Sequence, residues 1–159
     1  MRYFTAIVVP PSVVAEISRH GFGEELKVLQ EAAVIVIEDL SPIETQRAQH
    51  LADLIAQSPL TSDPLPSNHL PEAEALALMT RSDLRPERVL LDERAARQVA
   101  TAEGIALTGF VGVLLLACEE RLLNSASLRA VLEMCRQQGT HYGPNLVDTA
   151  CQLCEEMWS

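Results

Sequence analysis

Three short apolar runs constrain this chain more than any other feature. Thr5-Ala6-Ile7-Val8-Val9, Ala33-Val34-Ile35-Val36-Ile37 and the segment from Arg88 to Leu91 hold consecutive apolar side chains, after Thr5 in the first and Arg88 in the third, without polar alternation. A strand that is apolar on both faces has to be covered on both, which is the condition of a parallel sheet between helices. The intervening sequence supplies the helices. Pro10-Pro11-Ser12 starts one through Val13, Val14, Ala15, Glu16 and Ile17, proline being tolerated in a first turn. Gly21 and Gly23 break it, and a short helix from Glu24 to Gln30 follows. Ser41-Pro42 caps a helix that carries Ile43, Ala48, Leu51, Leu54 and Ile55. Helices from Pro71 to about Arg81 and from Glu93 to Glu103 flank the third run, and Ile105-Ala106-Leu107 reads as a fourth, short strand after Gly104. From Gly109 onward three helices are expected, separated near Asn124 and Gly139. The fold class is therefore α/β with a parallel sheet and a helical C-terminal part.

With 159 residues the chain is expected to form one domain, residues 1–159, large enough to bury a core. Aromatic residues make up only 4%, so that core is aliphatic. Acidic residues outnumber basic ones 22 to 12, a formal net charge of -10. A general nucleic-acid coat protein is excluded by that balance, because phosphate binding wants a basic surface. A nuclease is not, since bound metal ions supply positive charge locally. A basic partner protein also fits. Met1-Arg2-Tyr3-Phe4 leads into an apolar run that stops at Pro10-Pro11, so no leader is expected, and Val111 to Cys118 is too short to span a bilayer. A cytoplasmic protein is expected, with Cys118, Cys135, Cys151 and Cys154 as reduced, partly buried thiols.

Chemistry is expected where strands end and helices begin, since open α/β sheets place their working groups there. Hard divalent cations take oxygen ligands, so several carboxylates from different elements must converge. Asp92 ends the third strand with Glu93 beside it; Glu72 opens a helix after the proline-rich stretch from Ser58 to Pro71; Glu16 lies one turn into the helix that follows the first strand. Each acid also has a structural reading. Glu72 and Glu74 complement a helix dipole, Asp92-Glu93 serve as a helix cap with its first-turn partner, and Glu16 lies on a solvated face with Arg19. Gly109-x-x-Gly112 either cradles a phosphate or lets its helix pack closely on the sheet. Cys151-Gln152-Leu153-Cys154 has the spacing of a zinc or redox pair but lies in a helix with no second such pair, and the four histidines show no pairing with a nucleophile. The Ser58–Pro71 stretch reads as a long loop, a candidate mobile edge of the site.

Three motifs in order resemble the PIN-domain family, in particular a prokaryotic branch with predicted nucleic-acid binding that is related to VapC-type toxins. They are Pro71-Glu72-Ala73-Glu74-Ala75-Leu76-Ala77-Leu78, Asp92-Glu93-Arg94-Ala95-Ala96-Arg97 and Thr108-Gly109-Phe110-Val111-Gly112-Val113-Leu114. Val9-Pro10-Pro11-Ser12-Val13-Val14-Ala15-Glu16-Ile17 is similar to the family's proline-led helix with its acid. The resemblance covers nearly the whole chain. It implies a three-layer α/β/α fold and an endoribonuclease dependent on Mg2+ or Mn2+. Glu16, Glu72 and Asp92 fall on the acid positions, Glu93 is a helper, and Glu74 rivals Glu72. Arg94 and Arg97 are the implied contacts to nucleic acid. The implied partners are an RNA substrate and, for a toxin-type module, an antitoxin-like protein; no membrane is implied. Two departures stand out. Pro71 replaces a glycine, a mild change at a helix start. The sequence also begins after the strand, aspartate and helix that open such domains, and that strand is central in the family's sheet. An upstream start, an inactive relative serving as a protein-interaction module, or a strand supplied by a partner or second copy would each reconcile this. The chain as given is then expected to be poorly stable or a homo-oligomer, and weak as a nuclease.

Overall fold

In the computed structural model, which describes residues 6–158, strands and helices alternate up to Thr108 and helices alone follow. The order is β1 (Ile7–Val9), α1 (Pro11–Arg19), α2 (Gly23–Glu31), β2 (Ile35–Ile37), α3 (Pro42–Ala56), a 3-10 turn (Pro66–His69), α4 (Leu70–Leu78), β3 (Val89–Leu90), α5 (Arg94–Ala102), β4 (Leu107–Thr108), α6 (Phe110–Glu119), α7 (Ser125–Gln137) and α8 (Pro144–Trp158). The expected strand position Thr5 lies outside the described residues. The α/β class holds, and both strand pairings are parallel.

The sheet itself differs from the expectation. Among the described residues the strands form two separate pairs, β1 with β2 and β3 with β4, so each strand is hydrogen-bonded on one edge only. Ile7 stays 51% exposed, Val36 37% and Leu90 55%, although their sequence reads as buried on both faces. A strand can bury both faces only when elements cover both, and two-stranded pairs expose what a wider sheet would hide.

Contacts divide the chain into two compact units, one up to Thr108 and one from Gly109 onward. In the first, α3 and α4 pack through Ala48, Leu51, Ala52, Ile55, Ala73, Leu76 and Ala77, which join Val89, Leu91 and the buried face of α5. Alanines at the helix contacts allow close approach, and the leucines and Ile55 fill the remaining space at about 2 kcal/mol of burial each. A smaller cluster of Val9, Leu26 and Ile35, with Val13, Val14 and Ile17 against it, seats α1 and α2 on the β1–β2 pair. In the second unit Leu114, Cys118, Leu128, Leu132, Val147, Cys151 and Cys154 make the core.

Helix starts follow the sequence signals. Ser41 and Glu44 form a reciprocal capping box on α3, and the Asn124 side chain accepts from Ser127 N–H at the start of α7. Helix α1 begins at Pro10 with no cap of its own. Its Ser12 N–H instead donates to Glu74 Oε2, 2.9 Å away on α4, which ties the two packed helices together. At the other end of α5, Gly104 at φ 69° makes the turn into β4, with Ile105 N–H returning to the Ala100 carbonyl.

Candidate metal centre

Two helix starts and one turn meet in the first unit. Glu93 is the N-cap residue of α5, Glu72 lies in the first turn of α4, and His69 closes the 3-10 turn that feeds α4. Each of the three offers a ligand atom, and those atoms lie within 4.8 Å of one another. Glu93 occupies a cap position yet makes no capping hydrogen bond. Its Oε2 is buried without a hydrogen-bond partner, and so is Oε2 of Glu72. Buried carboxylate oxygens left without donors cost free energy, and a cation between them removes that cost.

Electrostatics agree with the geometry. Burial pushes the Glu72 carboxyl above its ordinary value; its own backbone N–H opposes this, and the nearby charges of Glu93 and Glu16 add to the rise. Glu16, on α1, therefore stands within electrostatic reach of the pair. Asp92 precedes Glu93 and is exposed; it is not among the three residues whose ligand atoms converge. Glu74 is committed to the N-terminus of α1. The structure thus places Glu72 and Glu93 together with His69, with Glu16 in electrostatic reach of Glu72, and leaves Asp92 outside the converging three. A divalent ion fits the donor set, because the two orphaned oxygens supply the hard ligands such an ion takes.

His69 joins the site without having been singled out by sequence. The signal was present as His69-Leu70-Pro71-Glu72, since residues three apart share one face of a helix start. The loop before it is held by its own side chains. Asp63 accepts from Leu65 N–H and from the Asn68 amide, and its carbonyl lies 3.0 Å from His69 Nε2. Ser58 accepts from Leu60 N–H and donates to Gln98 on α5. These contacts link the stretch to α5 and set the position of His69.

Arg94 and Arg97 share an open depression of about 500 Å³ with Leu60, Gln98, Thr101 and Ala102. Arg97 also donates to the Leu91 carbonyl at 3.0 Å, which fixes it beside the end of β3. In the second unit the cysteines are free; Cys118, Cys151 and Cys154 are buried. Burial, and then Cys154 beside it, pushes the Cys118 thiol up to about 12. The Cys151 and Cys154 thiols point to the carbonyls of Ser125 and Leu123, and among the described residues the cysteines form no ligand group of three. These are core thiols.

Within this α/β unit, two acids and a histidine thus converge where α5 leaves β3 and where α4 leaves the 3-10 turn. A family model described as PIN domain matches residues 1–156, so the chain belongs to the PIN-domain family. No curated protein and no solved structure matches it. Membership points to nuclease-type, nucleic-acid-directed function, and PIN domains generally use a divalent metal. Among the described residues no helix is long and apolar enough to cross a membrane.

Proposed function

We propose that this protein is an endoribonuclease whose Mg2+ or Mn2+ ion is held by Glu72 and Glu93, with Glu16 and Asp92 adding acidic charge around them. The observation that carries this reading is the pair of buried carboxylate oxygens without hydrogen-bond partners. A bound ion would activate water and stabilise the charge that develops on the phosphate. The protein's own contribution is placement. Glu72 and Glu93 stand on helix starts packed against the aliphatic core, so little reorganisation is needed to receive the ion. Arg94 and Arg97, in their open depression on α5, contact the RNA backbone and offset part of the surrounding negative charge.

The net charge of -10 favours a second reading, an inactive relative that binds another protein. A toxin-type module held by a basic antitoxin-like protein combines the two. The open strand edges with exposed Ile7, Val36 and Leu90 favour self-association, which sedimentation across a concentration series measures. Cleavage of a mixed RNA pool tests the first reading. Activity is expected with added Mn2+ or Mg2+, none with chelator, and a loss of at least about 100-fold in Glu72→Gln and Glu93→Gln. Glu16→Gln and Asp92→Asn then rank the outer acids. A folded, metal-loaded protein that leaves RNA intact would hand the assignment to the interaction module.

A further inference from the structure

We infer that His69 is a nitrogen ligand of this ion and makes the site prefer Mn2+ to Mg2+. The inference rests on the carboxylate site proposed above and adds a residue and a selectivity to it. His69 is buried, its side chain only 7% exposed. Nε2 lies 3.0 Å from the Asp63 carbonyl, and a carbonyl can only accept, so that nitrogen carries a proton. In the neutral ring the lone pair is therefore on Nδ1. Nδ1 faces Glu93 Oε2 at 3.5 Å, a contact that is not a hydrogen bond, because that oxygen has no hydrogen-bond partner.

Ligand atoms of His69, Glu72 and Glu93 all lie within 4.8 Å of one another, so this lone pair and carboxylate oxygen belong to a cluster suited to a cation. A backbone carbonyl holding the far nitrogen is how metal-ligating imidazoles are oriented. Glu74 and Asp92 supply no such arrangement here: one is spent on α1 and the other lies outside the trio. Imidazole is a borderline donor. Mg2+ gains little from it, whereas Mn2+ and the later first-row ions accept nitrogen readily.

The test uses the full chain loaded with one equivalent of Mn2+, examined by pulsed electron paramagnetic resonance and by calorimetry. Nitrogen modulation that changes on 15N-histidine labelling is expected. It should persist in the triple variant His20→Asn, His50→Asn, His141→Asn, in which His69 is the sole histidine and every altered site is exposed. His69→Asn should lose roughly 100-fold in Mn2+ affinity while Mg2+ affinity changes less than about tenfold. The spectrum decides the matter even where His69→Asn fails to fold. Tight Mn2+ binding without histidine modulation would overturn the inference and leave the carboxylate site standing. Failure of the folded protein to bind Mn2+ would overturn both.

Discussion

Two glutamates one residue apart from a shared neighbour have opposite fates in this molecule. Glu74 points to α1 and accepts Ser12 N–H; Glu72 turns into the site with Oε2 buried and unpartnered. Sequence left them as rivals because both lie in the first turns of one helix, and only the packing of α1 against α4 separates them. Their variants should separate too. Glu74→Gln is expected to lower stability by about 1 kcal/mol through the weakened helix start and to leave Mn2+ binding intact. Glu72→Gln is expected to abolish binding and to raise the melting temperature of the metal-free protein at neutral pH by about 2–4 °C, because it removes a desolvated charge near Glu93 and Glu16. Differential scanning calorimetry in the presence of chelator checks both. A destabilised Glu72→Gln would mean that the carboxylate serves the fold. Glu93 was legible as an acid at a strand-to-helix junction; its unused cap position was not, since sequence shows which residue can cap and not where its side chain goes.

Among the elements, the start of α3 is tied to the segment just after α4 by Arg81, which donates to Glu44, Glu38 and the Asp39 carbonyl. Glu44 already belongs to the capping box of α3, so one carboxylate serves a helix start and a clamp on the segment after α4. Arg81, and with it the Ser41 contacts, holds the Glu44 carboxyl well down, at about 2 against an ordinary 4.5. The sign follows from linkage. A depressed carboxyl contributes stability that is present above pH 4.5 and is lost as pH falls from 4.5 towards 2. Urea midpoints should therefore fall over that window in the wild type and fall less in Glu44→Gln. Arg81→Ala should cost about 2–3 kcal/mol at pH 7. Equal pH profiles for wild type and Glu44→Gln would show that the clamp is not coupled to folding. Element order was readable because prolines, Ser41 and Asn124 mark several helix starts and the strands carry apolar runs. The hydrogen bonds of Asp63 and Ser58 within the Ser58–Pro71 stretch were not legible, because they join residues that sequence does not pair.

At the scale of the whole molecule, the aliphatic composition foretold a core of leucine, valine and alanine, and parallel pairing followed from strands without polar alternation. The number of sheets did not follow, because pairing partners are set by tertiary neighbours, and among the described residues each strand has one. The two buried carboxylates underlie the central proposal, that the first unit holds a metal centre which the fold assembles before the ion arrives. Manganese calorimetry tests it most directly, on the wild type beside Glu72→Gln, Glu93→Gln and Glu74→Gln. One saturable site is expected in the wild type, kept in Glu74→Gln and lost in the other two. Binding that survives in Glu72→Gln and Glu93→Gln alike, or a folded wild type that takes up no Mn2+, would contradict it.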